Sequence, residues 1–206
     1  CYVKQVIGTE TTNWFASWLN KEVDMISILD TAGLAQVRNN PQMNALLHWW
    51  IDPRPDFLVF DTMHAPLDNL PLRQALSHTI DRETLCYQVL NGVYTPAYSM
   101  LPPGFPAHND ELDSIQTYDV ELGKQLLAEA GYPEGKDASG QQLELTITFR
   151  NIDPFVEFAK EQWETNLGIK VNIVQVENSV FRQMRSDKQM QIFHNFYEYD
   201  YMDPAN

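Results

Sequence analysis

The stretch LELTITFRNIDPFVEFAKEQWETNLGIKVNIVQV, Leu143 to Val176, decides the fold class. LELTITF alternates apolar and polar residues with β-branched side chains, the pattern of a strand. Asp153-Pro154 opens a helix, because Asp caps well and proline loses nothing in a first turn. Val156, Ala159 and Trp163 recur on one helical face and point inward. Gly168 ends the helix, and IKVNIVQV returns as a strand. A strand–helix–strand unit of this length implies parallel strands joined by a right-handed crossover.

The same alternation extends in both directions. Toward the C-terminus, a short helix over 178–187 and a final strand from Met190 complete the pattern. Toward the N-terminus, the segment 133–142 is polar and Gly-rich, an exposed turn. Asp119 caps a helix with Leu122, Leu126, Leu127 and Ala130 on its apolar face, stopped by Gly131. Asp81 caps another that runs to about Leu90 and ends at Asn91-Gly92. Asn69 caps a third, with Pro71 in its first turn. Between these, residues 93–118 have no period and hold Pro96, Pro102, Pro103, Gly104 and Pro106. A loop this long in a compact domain is functional or wraps a surface.

Two apolar segments, ALLHWWI and DFLVF, are separated by Asp52-Pro53-Arg54-Pro55, where the prolines break the chain. A short helix is expected over Leu34 to Arg38. At the start, CYVKQVI reads as a strand, Thr11 or Thr12 caps a helix carrying Phe15, Trp18 and Leu19, and VDMISIL reads as a second strand. That predicts a second βαβ unit. The fold class expected is α/β, a mixed sheet flanked by helices.

Length and composition bound the function. With 206 residues the chain makes one domain, or one and a small second one. Apolar residues are 44% and charged residues 20%, ordinary for a globular protein. The net charge of -14 repels phosphate backbones, so no nucleic-acid partner is expected. Two cysteines, Cys1 and Cys86, make neither a disulfide framework nor a zinc site. They read as free thiols, with a bridge open to them in an oxidising compartment. No apolar run approaches the ~20 residues of a membrane span. Because CYVKQVI already alternates like a strand, the chain is expected to begin inside a longer protein; the alternative is that Cys1 is the acylated residue of a lipoprotein.

Catalytic signatures are missing. There is no G-x-G-x-x-G, no phosphate loop ending in Lys, no G-x-S-x-G and no H-E-x-x-H. His48, His64, His78, His108 and His194 are scattered and read as structural, although a metal site built from distant residues stays open. No cofactor is expected. Glu198, Asp200 and Asp203 resemble an acid pair for glycoside cleavage, but acids this close in sequence read first as solvated turn residues.

The stretch PLDNLPLRQALSHTIDRETLCYQVLNGVYTPAYSMLPPGFP, residues 66–106, narrows the choice. It resembles the extracellular solute-binding proteins, family 5, that deliver oligopeptides and dipeptides to ABC importers. The residues that carry the likeness are Arg73-Gln74-Ala75-Leu76, Asp81-Arg82-Glu83, Gly92 and Pro102-Pro103-Gly104. YDVELGKQLLAEAGYPEG (118–135), the helix–Gly–strand at 155–176 and the closing Asp-Tyr-x-Asp-Pro extend it over nearly the whole chain.

The resemblance implies one lobe of a two-lobed periplasmic-binding-protein-like (type II) fold. Residues 1–206 would be the C-terminal lobe, without the other lobe and the final return segment. It implies a monomer that captures a small-molecule or peptide ligand and passes it to ABC permease transmembrane subunits, periplasmic or lipid-anchored outside the cell, and no enzyme. A second reading, on the same fold, is a ligand sensor fused to a DNA-binding helix-turn-helix.

The ligand-facing positions follow from the same resemblance. Asp200 matches an Asp that binds a peptide's α-ammonium. Tyr197 stands where an aromatic, more often Trp, packs on the ligand. Asn178 replaces another such aromatic. Arg185 and His194 match an Arg and a carboxylate-holding residue of some relatives. Glu198 and Tyr199 depart from the small residues usual there, so they are expected to crowd or charge the cleft. For Asp200, capping the Asp-Tyr-Met-Asp-Pro turn is an equal alternative.

Overall fold

The computed structural model describes residues 11–26, 31–48, 54–150 and 154–200. The chain divides into two compact units, Cys1–Trp50 and Ile51–Asn206. In the first, helix α1 spans Thr11–Leu19, α2 Thr31–Arg38 and α3 the single turn Pro41–Asn44. Phe15 and Trp18 stack with centroids 6.1 Å apart, as helical neighbours three apart do. Leu34 and Val37 of α2 are buried. Asn40 caps α3, its Oδ1 accepting from the N–H groups of Gln42 and Met43.

The N-terminal βαβ unit is corrected in part. CYVKQVI lies outside the described residues, as do residues 27–29 of VDMISIL, but residues 23–26 form no strand. The chain leaves α1 through Lys21 at φ +60°, and Met25 is 80% exposed. An apolar run becomes a strand only where a partner takes its backbone groups. Of ALLHWWI, residues 45–48 are turn and irregular chain, and the rest lies outside the described residues.

The second unit begins with strand β1, Asp56–Phe60, and helix α4, Leu70–His78. Asn69 caps α4 as expected, accepting from Leu72 N–H at 3.3 Å. Asp81 accepts from Thr84 N–H at 2.9 Å, but Thr84–Val89 coils as a wider π-helix. The long loop then runs to Asp119 with one 3-10 turn, Asp110–Gln116. Helix α5 is Val120–Glu129, capped by Asp119. Strand β2 (Glu144–Phe149), helix α6 (Pro154–Leu167), strand β3 (Lys170–Gln175), helix α7 (Asn178–Ser186) and strand β4 (Ile192–Phe196) complete the chain.

The sheet order is β1-β4-β2-β3. β2, β3 and β4 are parallel and β1 is antiparallel to β4. This is the expected mixed sheet. Alternation sorts its two faces. Leu145, Ile147, Val171 and Ile192 are essentially inaccessible and join Leu72, Leu76, Leu127, Val156 and Trp163 in one core. The other face carries Thr146, Thr148 and Asn172, and α7 covers part of it by setting Phe181 edge-on to Phe193, 5.8 Å between centroids. β3 lies at the sheet's edge, and its outward backbone groups at Val171 are taken by α6: Lys160 Nζ donates to the carbonyl at 2.6 Å and Glu164 Oε1 accepts from the N–H at 3.0 Å. An edge satisfied by side chains cannot recruit another strand at that point.

Helices α4 and α5 approach closely because position 123 has no side chain. A Cβ on Gly123 would sit 2.3 Å from Thr79 Cγ2. Gly123→Ala is therefore expected to destabilise by about 1–3 kcal/mol, as overpacking does. In a Thr79→Ser background, which removes that methyl and keeps the hydroxyl, the loss should shrink, leaving Ala75 O at 3.3 Å as the close neighbour; denaturant midpoints of the four proteins decide, and equal losses in both backgrounds would refute the contact. Glu164 gives a pH expectation. The Lys160 ammonium, then the Val171 N–H, hold its carboxyl below its ordinary 4.5. A lowered folded pKa stabilises above the unfolded value and is lost as pH falls beneath it. Glu164→Gln should flatten the loss of stability below about pH 4.5; an unchanged acid slope would remove Glu164 from the account.

Candidate functional site

Parallel strands β2, β3 and β4 all end at one edge of the sheet, and antiparallel β1 begins there. The carboxyl edge of such a sheet is where open α/β folds place ligands. Chain segments leaving it here are Arg150 after β2, Asn178 at the start of α7, and Tyr197–Asp200 after β4. Arg54 precedes β1 at the same edge.

The segment after β4 is held at two points. Tyr197 N–H donates to Pro55 O at 3.1 Å, the last rung beside β1. Tyr199 OH donates to Met100 O at 2.9 Å, and its ring tilts onto Phe105 at 4.6 Å. Burial, then the neighbouring Tyr197, pushes the Tyr199 phenol pKa up, so it stays a donor. Tyr199 fastens the segment to the long loop, and Tyr197, Glu198 and Asp200 on either side of it stay exposed.

Two arginines stand at the same edge, one of them against Glu198. Arg54 Nη1 lies 3.7 Å from Glu198 Oε1, and its guanidinium sits 4.8 Å from the Phe196 ring centroid. An exposed pair of this kind contributes about 0–1 kcal/mol. Arg150 lies 4.7 Å from the centroid of Phe181 and 5.4 Å from that of Phe196, and donates to Asn195 Oδ1 at 3.3 Å. Planar stacking of this sort suits Arg rather than Lys. The edge therefore offers acceptors for an ammonium group (Glu198, Asp200), an exposed aromatic (Tyr197) and a guanidinium for a carboxylate. Glu198 faces Arg54.

Of the residues singled out in the sequence, the structure brings Tyr197, Glu198, Asp200 and Asn178 to the same edge, all exposed. His194 is two residues inside β4, 12% exposed, edge-on to Phe155 at 5.4 Å and 3.5 Å from Asp56 Oδ1. Arg185 is elsewhere. It is exposed in the last turn of α7, in a hollow with Phe60, Asp61 and Met190 at the amino edge of the sheet. Tyr201, Asp203 and Pro204 lie outside the described residues. Arg54, Arg150 and the anchoring by Tyr199 were missed. Arg150 had a signal, its place directly after the central strand; Arg54 was hidden in a proline break.

The segments that carried the family resemblance are structural. Arg73 Nη1 donates to Leu67 O at 2.7 Å, and Ala75 and Leu76 are fully buried. Arg82 donates to the carbonyls of Ser77 and Gln116, each at 3.1 Å. Cys86 is a free buried thiol whose pKa burial raises to about 11. Among the described residues no helix is long and apolar enough to cross a membrane.

Comparison with known proteins settles the family. A family model described as "Bacterial extracellular solute-binding proteins, family 5 Middle" matches residues 2–206. The chain belongs to this family. It is 30% identical over 186 residues to the "Heme-binding protein A" of Haemophilus influenzae, covering 89% of this chain and 33% of that protein. It is 26% identical over 151 residues to the "Oligopeptide-binding protein OppA" of Bacillus subtilis, 71% of this chain and 28% of that one. Its fold matches that of a periplasmic oligopeptide-binding protein of Borrelia burgdorferi with a TM-score of 0.68 and 27% identity, over 95% of this chain and 38% of that one. The chain thus spans about a third of the length of these relatives.

If Tyr199 fastens the segment to the loop, Tyr199→Phe keeps the ring contact and removes the bond to Met100 O. One neutral hydrogen bond is worth about 0.5–1.5 kcal/mol, so amide exchange around residues 100–108 should quicken about 2- to 10-fold. Unchanged exchange would show that the hydroxyl contributes nothing.

Proposed function

We propose that this chain is one lobe of a solute-binding protein, the C-terminal one, that captures a small solute carrying an ammonium group and presents it to the transmembrane subunits of an ABC importer. A di- or oligopeptide suits the site best. The observation that carries this reading is the carboxyl edge of the sheet, where Glu198 and Asp200 stand exposed beside Tyr197, with Arg54 against Glu198 and Arg150 at the same edge. A zwitterionic peptide has one group for each sign. Membership of the family, and a relative whose name is oligopeptide-binding, support the same choice. The relative named for heme argues for testing the solute and not assuming it.

A second lobe would complete the enclosure. Closure removes water, and a carboxylate-to-ammonium bond is then charge-assisted and shielded. A ligand that contacts both lobes only when they meet shifts the hinge equilibrium toward closed. No bond is made or broken. The work of the lobe is to hold acceptors and a ring in place before the ligand arrives, which lowers the ordering cost on binding. The compartment proposed is the periplasm, or the cell exterior for an anchored form.

The test is calorimetric titration of the full-length protein with a panel of dipeptides and with haem. Asp200→Asn keeps the size and removes the charge, and losing a charge-assisted hydrogen bond of about 1.5–3 kcal/mol weakens peptide binding roughly 10- to 100-fold. Equal affinities would remove Asp200 from the site. Binding of haem with no binding of peptides would overturn the solute class.

A further inference from the structure

The geometry points to a divalent transition-metal site on the long loop, formed by His108, Asp110 and Asp113, with zinc as the cation it fits best. His108 Nε2 lies 3.0 Å from Asp110 Oδ1 and 3.6 Å from Asp113 Oδ2. The three ligand atoms all fall within 4.8 Å of one another, the only such group of His, Cys and acids among the described residues. The spacing is H-x-D-x-x-D, short enough for one turn of chain to present all three.

The tautomer is what makes this a site and not an acidic patch. His108 Nδ1 lies 2.7 Å from Leu101 O. A carbonyl only accepts, so Nδ1 carries a proton. In the neutral ring Nε2 then holds a lone pair, and that lone pair is aimed at two carboxylates. The imidazole is buried, with 9% of its side chain exposed. Its Nε2 and Asp113 Oδ1 are both buried without a hydrogen-bond partner. Buried polar atoms in that state are rare and call for an occupant. A backbone carbonyl holding the distal N–H of a His is the usual support of a metal ligand.

The spacing is compatible with a cation. Tetrahedral bonds of about 2.0–2.2 Å place ligand atoms roughly 3.3–3.6 Å apart; the 3.6 Å separation falls in that range, and the 3.0 Å one would open slightly on binding. One imidazole with two carboxylates selects borderline ions such as Zn²⁺ over Mg²⁺ or Ca²⁺, which want more oxygen ligands. Asp110 is 94% exposed, so the ion has an entry path and a position left for water.

Occupancy would stiffen the wall beside the candidate ligand edge. His108 N–H donates to Phe105 O at 3.0 Å, and Phe105 carries the Tyr199 ring. The cation would tie the Leu101–His108 turn to the 3-10 turn Asp110–Gln116. This inference does not depend on which solute the protein binds.

The test uses the full-length protein stripped with EDTA. Zn²⁺ is expected to raise its melting temperature with one-to-one calorimetric stoichiometry at this site, and Mg²⁺ is not. Asp110→Asn, at an exposed position that leaves folding intact, should weaken Zn²⁺ binding at least about tenfold, as loss of a ligand does; Asp113→Asn should do the same. Co²⁺ should give a visible d–d spectrum that both variants lose. No Zn²⁺-dependent shift, or a shift and spectrum unchanged in both variants, would overturn the site and leave His108 as an imidazolium paired with two acids.

Discussion

The second unit depends on the C-terminal end of α4. A helix leaves its last four carbonyls without partners, and here four different parts of the chain supply them. Thr79 Oγ1 donates to Ala75 O at 2.9 Å and Trp163 Nε1 to Leu76 O at 2.8 Å. Arg82 donates to Ser77 O at 3.1 Å, and Asp119 N–H to His78 O at 2.8 Å. Asn166 of α6 then takes Thr79 O at 3.2 Å. The residues involved sit up to 87 positions apart. One helix end therefore fixes α6 from below the sheet, starts α5 beside it and fastens the loop between them. Each carbonyl is buried or nearly so, and each unmet one would cost about 1–3 kcal/mol.

From that end the constraint passes to the candidate site. Arg82 holds Gln116 through its backbone at 3.1 Å and its side chain at 3.2 Å, and Gln116 Nε2 reaches back to Tyr98 O at 2.7 Å. The loop is thereby anchored at both ends of its irregular part. Its middle presents Met100 and Phe105 to Tyr199. The four residues after β4 have few contacts of their own, so they owe their position to a loop with almost no regular structure. This is how a segment stays exposed to a ligand and still keeps a fixed shape, a balance that pre-organised binding needs.

What the sequence made legible was local. The βαβ of 143–176 and the caps Asn69, Asp81 and Asp119 depend on residues within one or two turns of each other, and all stand where expected. The strand pattern at VDMISIL had the right composition, yet residues 23–26 form no strand, because pairing is decided by a partner distant in sequence. Strand order, with β4 between β1 and β2, had no local signal either. At the site the same division holds. Tyr197, Glu198 and Asp200 were placed by motif, while Arg150 and Arg54 join them through sheet neighbours. Tyr199 looked like an intruder because its true partner, Phe105, is far away in the chain.

The family is easy to recognise and the solute is not, and one physical reason covers both. The residues that carry the resemblance, Arg73, Ala75, Leu76 and Arg82, satisfy buried carbonyls or fill the core, where substitution leaves an unmet group or a cavity. Substitution at positions under that constraint is costly to folding. Tyr197, Glu198 and Asp200 are exposed instead; Glu198 makes a surface pair with Arg54 at 3.7 Å and Tyr197 meets the Tyr199 ring at 5.0 Å. Being exposed, they are free to change at little cost to folding. The candidate site therefore sits on the part of the chain that the fold constrains least. What that edge offers depends on which signs and rings it carries and how firmly Tyr199 holds them, and likeness in the core fixes neither.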